Sequence, residues 1–266
     1  MSLNANTIAG LKRLLEDPQG RSDGQVMELA LRITAVWRSR VLAAHLGAKD
    51  GLVIQHGPFK GMTYVAAATE GALLPRLIGS YESELHPHIL ALVDEGLDTV
   101  IDVGCAEGYY AVGLARLMPH AQVHAYDTDP AARIACRTLA ESNGVSERVT
   151  IGETFKGEDF AGFTPGKTLV FMDIEGGEQM LLDPGAYPAL KALHVLVETH
   201  PHPGLDLTAI ITERFAASHD IIRIEMGPKT TPLPEWLTKL SHIDQLVGVW
   251  EWRMRPTPWL VMRPRN

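Results

Sequence analysis

An apolar run that stops at two closely spaced glycines and then starts a helix constrains this chain more than any other feature. Thr99-Val100-Ile101-Asp102-Val103 has the β-branched composition of a short buried strand. Gly104-Cys105-Ala106-Glu107-Gly108 follows as a turn, and residues 109–117 continue at helical spacing. The unit then repeats: a strand-like 122–126, a helix opening at Pro130, and further β-rich segments at 149–152, 169–173 and 195–198. Short strands alternating with helices predict a parallel sheet covered on both faces. A helix over 208–217 and strands over 221–225 and 259–262 complete the expectation. It is a doubly wound, mostly parallel seven-stranded α/β sheet.

The glycine turn comes late in the chain, so the preceding residues form an extension. Up to about Gly51 they read as helical: Ser22 or Asp23 can cap a helix in which Val26, Leu29, Ala30, Ile33, Trp37 and Val41 recur at helical spacing. An extended pair over 52–55 and 62–65 is expected around the turn-rich His56-Gly57-Pro58-Phe59-Lys60-Gly61. Residues 73–78 and a helix over 84–95 lead into the first strand. The predicted organisation is a helical extension over 1–80 and a ligand-binding domain over 81–266.

Composition narrows the partners. No apolar run in the 266 residues approaches the roughly 20 needed to cross a bilayer, and the first ten residues lack the basic and apolar regions of a secretory signal. The two cysteines, Cys105 and Cys136, cannot make a disulfide framework, which points to a reducing cytoplasm. With 32 acidic and 24 basic residues the net charge is −8, which disfavours nucleic acid. A small-molecule partner is expected, with neither nucleic acid nor membrane. The amphipathic face of 26–41 could pack on a second copy as a homodimer.

Strand, glycine turn and helix together form a ligand cradle, because glycines let a backbone approach closely and a helix start offers free N–H groups. Asp127, ending the second strand, is placed to reach the ribose hydroxyls of an adenosine ligand. Dinucleotide sites usually read G-x-G-x-x-G, whereas here Ala106 holds the middle place and Tyr109 the last. Asp102, just ahead of the turn, would repel a pyrophosphate but could orient the ammonium of an amino acid. That favours S-adenosylmethionine over a nicotinamide dinucleotide.

With these residues the chain resembles class I S-adenosylmethionine-dependent methyltransferases, and more narrowly the FkbM-like group, over about residues 81–198. The resemblance implies a Rossmann-like methyltransferase fold. Residues 102–108 resemble the first motif of the family, with Cys105 in the loop and Tyr110 in the first turn of the helix on the cofactor side. It also implies Asp127 on the ribose, and adenine near Thr128 and Gly152-Glu153. Met172-Asp173-Ile174-Glu175-Gly176-Gly177-Glu178 is similar to the FkbM-like D-x-E-G-x-E motif, with Met172 where those enzymes have lysine. In methyltransferases of this architecture the segment before the first helix often closes over the cofactor, which makes Tyr81 and Glu82 cofactor or lid candidates. A capping turn accounts for them equally well. The resemblance implies O-methylation of a sugar or secondary-metabolite hydroxyl.

Methyl transfer to an alcohol needs a positioned oxygen and a way to remove its proton. Ligands of open α/β sheets bind beyond the carboxyl ends of strands, where Asp173, Glu198 and His200 fall. Two mechanisms suit them. In one, Asp173, Glu198 and His200 hold Mg2+ or another divalent ion, as metal-dependent O-methyltransferases on this fold do after the same strands. In the other, His200 or His202 is a direct base. A third reading leaves these residues as loop hydrogen-bond partners. Glu175 could join the site or start a helix, and helix starting is the expectation for Glu178. Arg253, in Trp250-Glu251-Trp252-Arg253, could face an anionic substrate, though a tryptophan cluster is more often core. Cys105 reads as a small packing residue, and His86 and His88 as surface or capping residues. The rival functions are a nicotinamide-dependent oxidoreductase, a cofactor-binding protein without turnover, and a protein methyltransferase.

Overall fold

A computed structural model describes residues 2–65 and 71–265. Two helices open it, α1 (Leu3–Glu16) and α2 (Asp23–Asp50), then α3 (Leu73–Ile78) and α4 (His86–Asp94). The sheet region follows as β1 (Thr99–Val103), α5 (Tyr109–Leu117), β2 (Gln122–Tyr126), α6 (Pro130–Ser142), β3 (Val149–Gly152), β4 (Thr168–Met172), α7 (Glu178–Leu181) and β5 (His194–Glu198). It closes with α8 (Leu207–Phe215), β6 (His219–Ile224), α9 (Glu235–Thr238), α10 (His242–Val249) and β7 (Trp259–Pro264). The spatial order is β3-β2-β1-β4-β5-β7-β6. The first five strands pair in parallel, and β7 enters antiparallel between β5 and β6. This is the expected seven-stranded, mostly parallel, doubly wound Rossmann-like sheet with helices ahead of it. No helix among the described residues is long and apolar enough to cross a membrane.

Side-chain alternation sorts each strand between two cores. Val100, Val123, Leu169, Phe171, Leu196 and Val261 face a core shared with α2 to α6. Ile101, Val103, Val170, Met172, Val195 and Leu260 face the other, closed by α8 and the turns around Phe155 and Phe160. Leu42, Ala43 and Leu46 of α2 lie in the first core, so the helical extension is built into the domain, packed against α3 and α10.

The local signals act as expected. Ser22 is the cap of α2, in a capping box with Gln25. Asp129 caps α6, with Pro130 at its first position. The extended pair is reduced to an antiparallel bridge, Val53 with Thr63, flanked by the Ile54 N–H donating to the Met62 carbonyl at 3.0 Å and the Tyr64 N–H to the Leu52 carbonyl at 2.6 Å. The short helix α7 opens at Glu178 as expected, whereas α9 and α10 are not anticipated by the sequence pattern. The last two lie between β6 and β7, and α10 is tied to α2 by the bidentate pair of Arg38 and Asp244, at 2.6 and 2.9 Å.

Phe171 lies at the centre of the first core, fully buried, with its ring 4.1 Å from Tyr110 and 5.3 Å from Trp259. Phe171→Ala should cost about 3–5 kcal/mol of folding free energy, read by urea unfolding. A loss below about 1 kcal/mol would mean that this core is not as tightly packed as described.

Candidate functional site

The carboxyl ends of β1, β2, β4 and β5 converge on a cleft divided by the loop after β1. On one side is a cavity of about 260 Å³ bordered by Tyr81, Asp102, Tyr110, Asp173, Glu198 and Arg253. On the other is a cavity of about 300 Å³ bordered by Tyr126, Asp127, Thr128, Glu153 and Phe155. Gly104, Ala106, Asp173 and Glu175 line both, so an elongated ligand can lie across the loop with one end in each.

The loop has two glycines for steric reasons that concern the protein as much as any ligand. Gly104 (φ 86°) leaves no room for a side chain, since a Cβ would overlap the Asp173 carbonyl. Gly108 (φ 95°) abuts Cys136 of α6 in the same way. Between them Ala106 takes φ 46°, held because its N–H donates to Asp127 Oδ2 at 2.9 Å. The other Asp127 oxygen accepts from the Asp129 N–H at 2.8 Å. Asp127 therefore fixes the loop while facing the second cavity. Arg133 of α6, which the sequence reading missed, donates to the carbonyls of Asp127 (2.7 Å) and Thr128 (3.1 Å) and to Glu153 (3.3 Å). Thr128 and Glu153 are exposed at that rim.

Asp102 sits on the opposite side, 1 % exposed, with Oδ2 buried and without a hydrogen-bond partner. Burial raises its pKa to about 7, against a backbone hydrogen bond from Ala111. A desolvated acid with a bare oxygen is suited to a cationic donor. Cys105 is buried, and its contact with Cys136 together with burial pushes its thiol pKa up, so it packs as a neutral residue.

His200 is enclosed by acids. Its Nδ1 lies 2.6 Å from Glu178, and its Nε2 lies 3.4 Å from Glu198, 3.5 Å from Asp173 and 3.6 Å from Glu175. Burial opposes its charge, but Glu178 and Glu198 outweigh that and raise its pKa to about 11. These acids favour the protonated imidazole in the ligand-free protein. His202 is exposed, and its Nδ1 lies 3.2 Å from the Pro203 carbonyl.

Glu175 meets Asp173 and His200 beside the expected Glu198. Ligand atoms of Asp173, Glu175 and His200 lie within 4.8 Å of one another. Glu198 instead is engaged by Arg253 and Thr257, and these partners with His200 hold its pKa below the usual range despite burial. Glu178, expected merely to start a helix, is wholly buried beside His200. Asp173 is a quarter exposed, and burial beside Glu198 and Glu82 keeps its pKa well above the usual carboxylate range.

Arg253 does not face the cleft as a free cation. It pairs with Glu82, Glu198 and, at 3.2 Å, Glu251. Glu82 is also bound by the Tyr110 hydroxyl and, through its own N–H, by Glu251 at 2.7 Å, and burial lifts its pKa to about 8. Tyr81 is buried under Arg76, whose guanidinium carbon lies 4.2 Å from the ring centroid. His86 is half-buried, with Nε2 3.1 Å from the Tyr81 carbonyl, and so supports this segment rather than capping a surface helix. Of the five described non-glycine residues with left-handed φ, Ala106, Glu175 and Trp252 line the first cavity, and Glu82 packs behind it on Tyr110 and Arg253. Such backbone is costly and is concentrated here.

Electrostatics decide what the cleft can hold. Among the described residues the first cavity presents six carboxylates against three guanidinium groups. The second presents Asp127, Glu153, Asp173 and Glu175 with no lysine or arginine. A pyrophosphate would be repelled from both sides of the loop, which removes the support for a nicotinamide dinucleotide.

No family model matches the sequence, and no curated protein matches it. Among solved structures the chain is similar to human methyltransferase 10 domain containing protein, at 13 % identity over 86 % of this chain and 97 % of that one, with a TM-score of 0.49. It is also similar to an O-methyltransferase from Bacillus cereus in complex with SAH, at 9 % identity over 99 % and 100 %, TM-score 0.48. A third is the O-methyltransferase TomG from Streptomyces achromogenes in complex with SAM, at 12 % identity over 86 % and 90 %, TM-score 0.46. Likeness at this level carries no argument about activity, which must come from the site.

The buried acid yields a pH test. Folding raises the Asp102 pKa from 3.8 to about 7, so the folded state keeps a proton that the unfolded state loses across that window. Its contribution to stability is therefore intact below pH 3.8 and lost as pH rises through about 7. Asp102→Asn should stabilise the ligand-free protein relative to wild type at pH 8 and much less at pH 4.5 or below, as read by urea midpoints. Parallel curves for the two proteins would show that Asp102 is not desolvated.

Proposed function

We propose that this protein is a cytoplasmic S-adenosylmethionine-dependent methyltransferase acting on the hydroxyl oxygen of a small molecule, a sugar or a secondary metabolite. One observation carries the reading. The loop after β1 separates a buried acid with a bare oxygen, Asp102, from a second acid, Asp127, that faces the neighbouring cavity. The amino-acid and ribose ends of a sulfonium nucleoside need that pair, and its net positive charge suits an acidic cleft.

Bound S-adenosylmethionine would supply an electrophilic methyl group: the new carbon–oxygen bond forms as the carbon–sulfur bond breaks, the electron pair stays on sulfur, and the acceptor's proton leaves to water. Asp102 would accept from the ammonium and Asp127 from the ribose hydroxyls, with Thr128 and Glu153 beside the adenine. Tyr81 and Glu82, clamped by Arg76, Arg253 and Tyr110, wall the methyl side and exclude water there. The FkbM-like resemblance of 172–178 is part of this reading, since that segment delivers Asp173, Glu175 and Glu178 to His200.

The donor set also fits a divalent ion such as magnesium or manganese. The Nδ1 of His200 is engaged by Glu178, an arrangement that orients a metal-binding imidazole, and its Nε2 faces Asp173 and Glu175. Asp173 Oδ1 is buried without a hydrogen-bond partner. Asp173, Glu175 and His200 would hold the ion, which would lower the pKa of an acceptor hydroxyl bound to it.

Calorimetry tests both parts. S-adenosylhomocysteine should bind the wild type, and Asp127→Ala should weaken it by about 2–3 kcal/mol, roughly a hundredfold, with the circular dichroism spectrum unchanged. Absence of heat with the wild type would defeat the reading. Manganese(II) should bind in a separate titration and His200→Ala should abolish it. Unaltered manganese binding by that variant would defeat the proposed ligand set.

A further inference from the structure

The acceptor side of the cleft opens onto a groove that the cofactor does not need. It lies between the first half of α2 and the end of α10, with a volume of about 680 Å³, and its walls include Leu29, Leu31, Ala35, Leu246, Val247 and Trp250. Arg32 and Arg253 line this groove and the Asp102 cavity alike, so the two spaces adjoin. Arg32 lies over the Trp250 ring, 5.4 Å from its centroid, and forms the wall at the junction.

The residues of the groove are not spent on the core. In α2 the buried positions are Val26, Ser39, Leu42, Ala43 and Leu46, so only one falls in the first half of the helix. Leu31 is 66 % exposed, Leu246 57 % and Met254, at the inner end, 73 %. Folding therefore leaves a contiguous apolar wall in water immediately beside the reactive cleft, a cost that a bound apolar ligand would remove. The volume falls in the range of small-molecule sites.

We infer that the methyl acceptor is a hydroxylated molecule with an apolar, aromatic or alkyl body, and that this body lies in the groove between α2 and α10 with its hydroxyl directed past Arg32 and Arg253. The inference rests on the methyltransferase reading and narrows it. Polar side chains, Arg21, Gln25 and Glu28 with Arg32 and Arg253, also line the groove, but a bare sugar would still bury ring hydroxyls against Leu29, Leu31, Ala35, Leu246 and Val247, which offer no hydrogen bond. An apolar body with one hydroxyl matches both the wall and the polar end. Continuity with the cleft singles out a small substrate over a partner protein.

The test uses β-naphthol and methyl β-glucoside as probes, titrated by calorimetry into the full chain with and without S-adenosylhomocysteine. Ala35→Trp fills the groove, and Leu246→Glu puts a charge on its wall at an exposed position that folding tolerates. β-Naphthol should bind the wild type and weaken roughly tenfold or more in each variant, while S-adenosylhomocysteine affinity stays unchanged. The glucoside should not bind. The inference is overturned if β-naphthol fails to bind, if both variants bind it as the wild type does, or if the glucoside displaces it. Sedimentation showing a stable dimer that Leu246→Glu dissociates would also overturn it, since the groove would then be a self-interface. If S-adenosylhomocysteine alone gives no heat, the methyltransferase reading fails, and the titration without it still reports on the groove.

Discussion

Arg253 gathers carboxylates from segments far apart in the chain. Glu82 is 171 residues away, ahead of α4, and Glu198 is 55 away, at the end of β5. Glu251 lies two residues before it. All three acids are buried, and each would be expensive to leave charged and unpaired. Lys229 adds a second cation, paired with Glu84 at 2.8 Å and with Glu251. The lead-in to α4, the end of β5 and the segment before β7 are thereby locked to one another, and the wall of the cleft exists because of that lock.

The lock explains how so acidic a cleft folds. Arg253 and Lys229 neutralise Glu84, Glu198 and Glu251, while Glu82, Asp102 and Asp173 escape the cost of charge through raised pKa values. His200 supplies a further positive charge to the acids around it. The remaining demand for cations, at bare oxygens of Asp102 and Asp173, is what a sulfonium amino acid and a divalent ion can satisfy. Structural balance and ligand preference are thus two consequences of one charge distribution.

Local patterns were readable where the physics is local. The bounds of β1, β2 and α5 follow from β-branched runs and the glycine turn, and Ser22 and Pro130 mark helix starts as their chemistry dictates. Asp102 and Asp127 stand out because both end a strand beside that turn. Glu178 opens α7 as its pattern indicates, but a carboxylate in a helix's first turn ordinarily faces water; only the segment after β5 brings His200 to 2.6 Å from it. Arg253 looked like a free cation for the same reason, since no sequence spacing reveals partners 55 and 171 residues away.

The sequence by itself determined the alternation of strands and helices, and hence a sheet with a glycine-bounded cradle at the carboxyl ends of its strands. That information lies in contacts between near neighbours, which residue periodicity encodes. Only the tertiary structure decided that β7 runs antiparallel, that Glu175 comes to His200 alongside Asp173 and Glu198, and that α2 and α10 leave an apolar groove open beside the cleft. Each of those depends on side chains brought together from distant segments, where burial and charge set the outcome after the chain has closed.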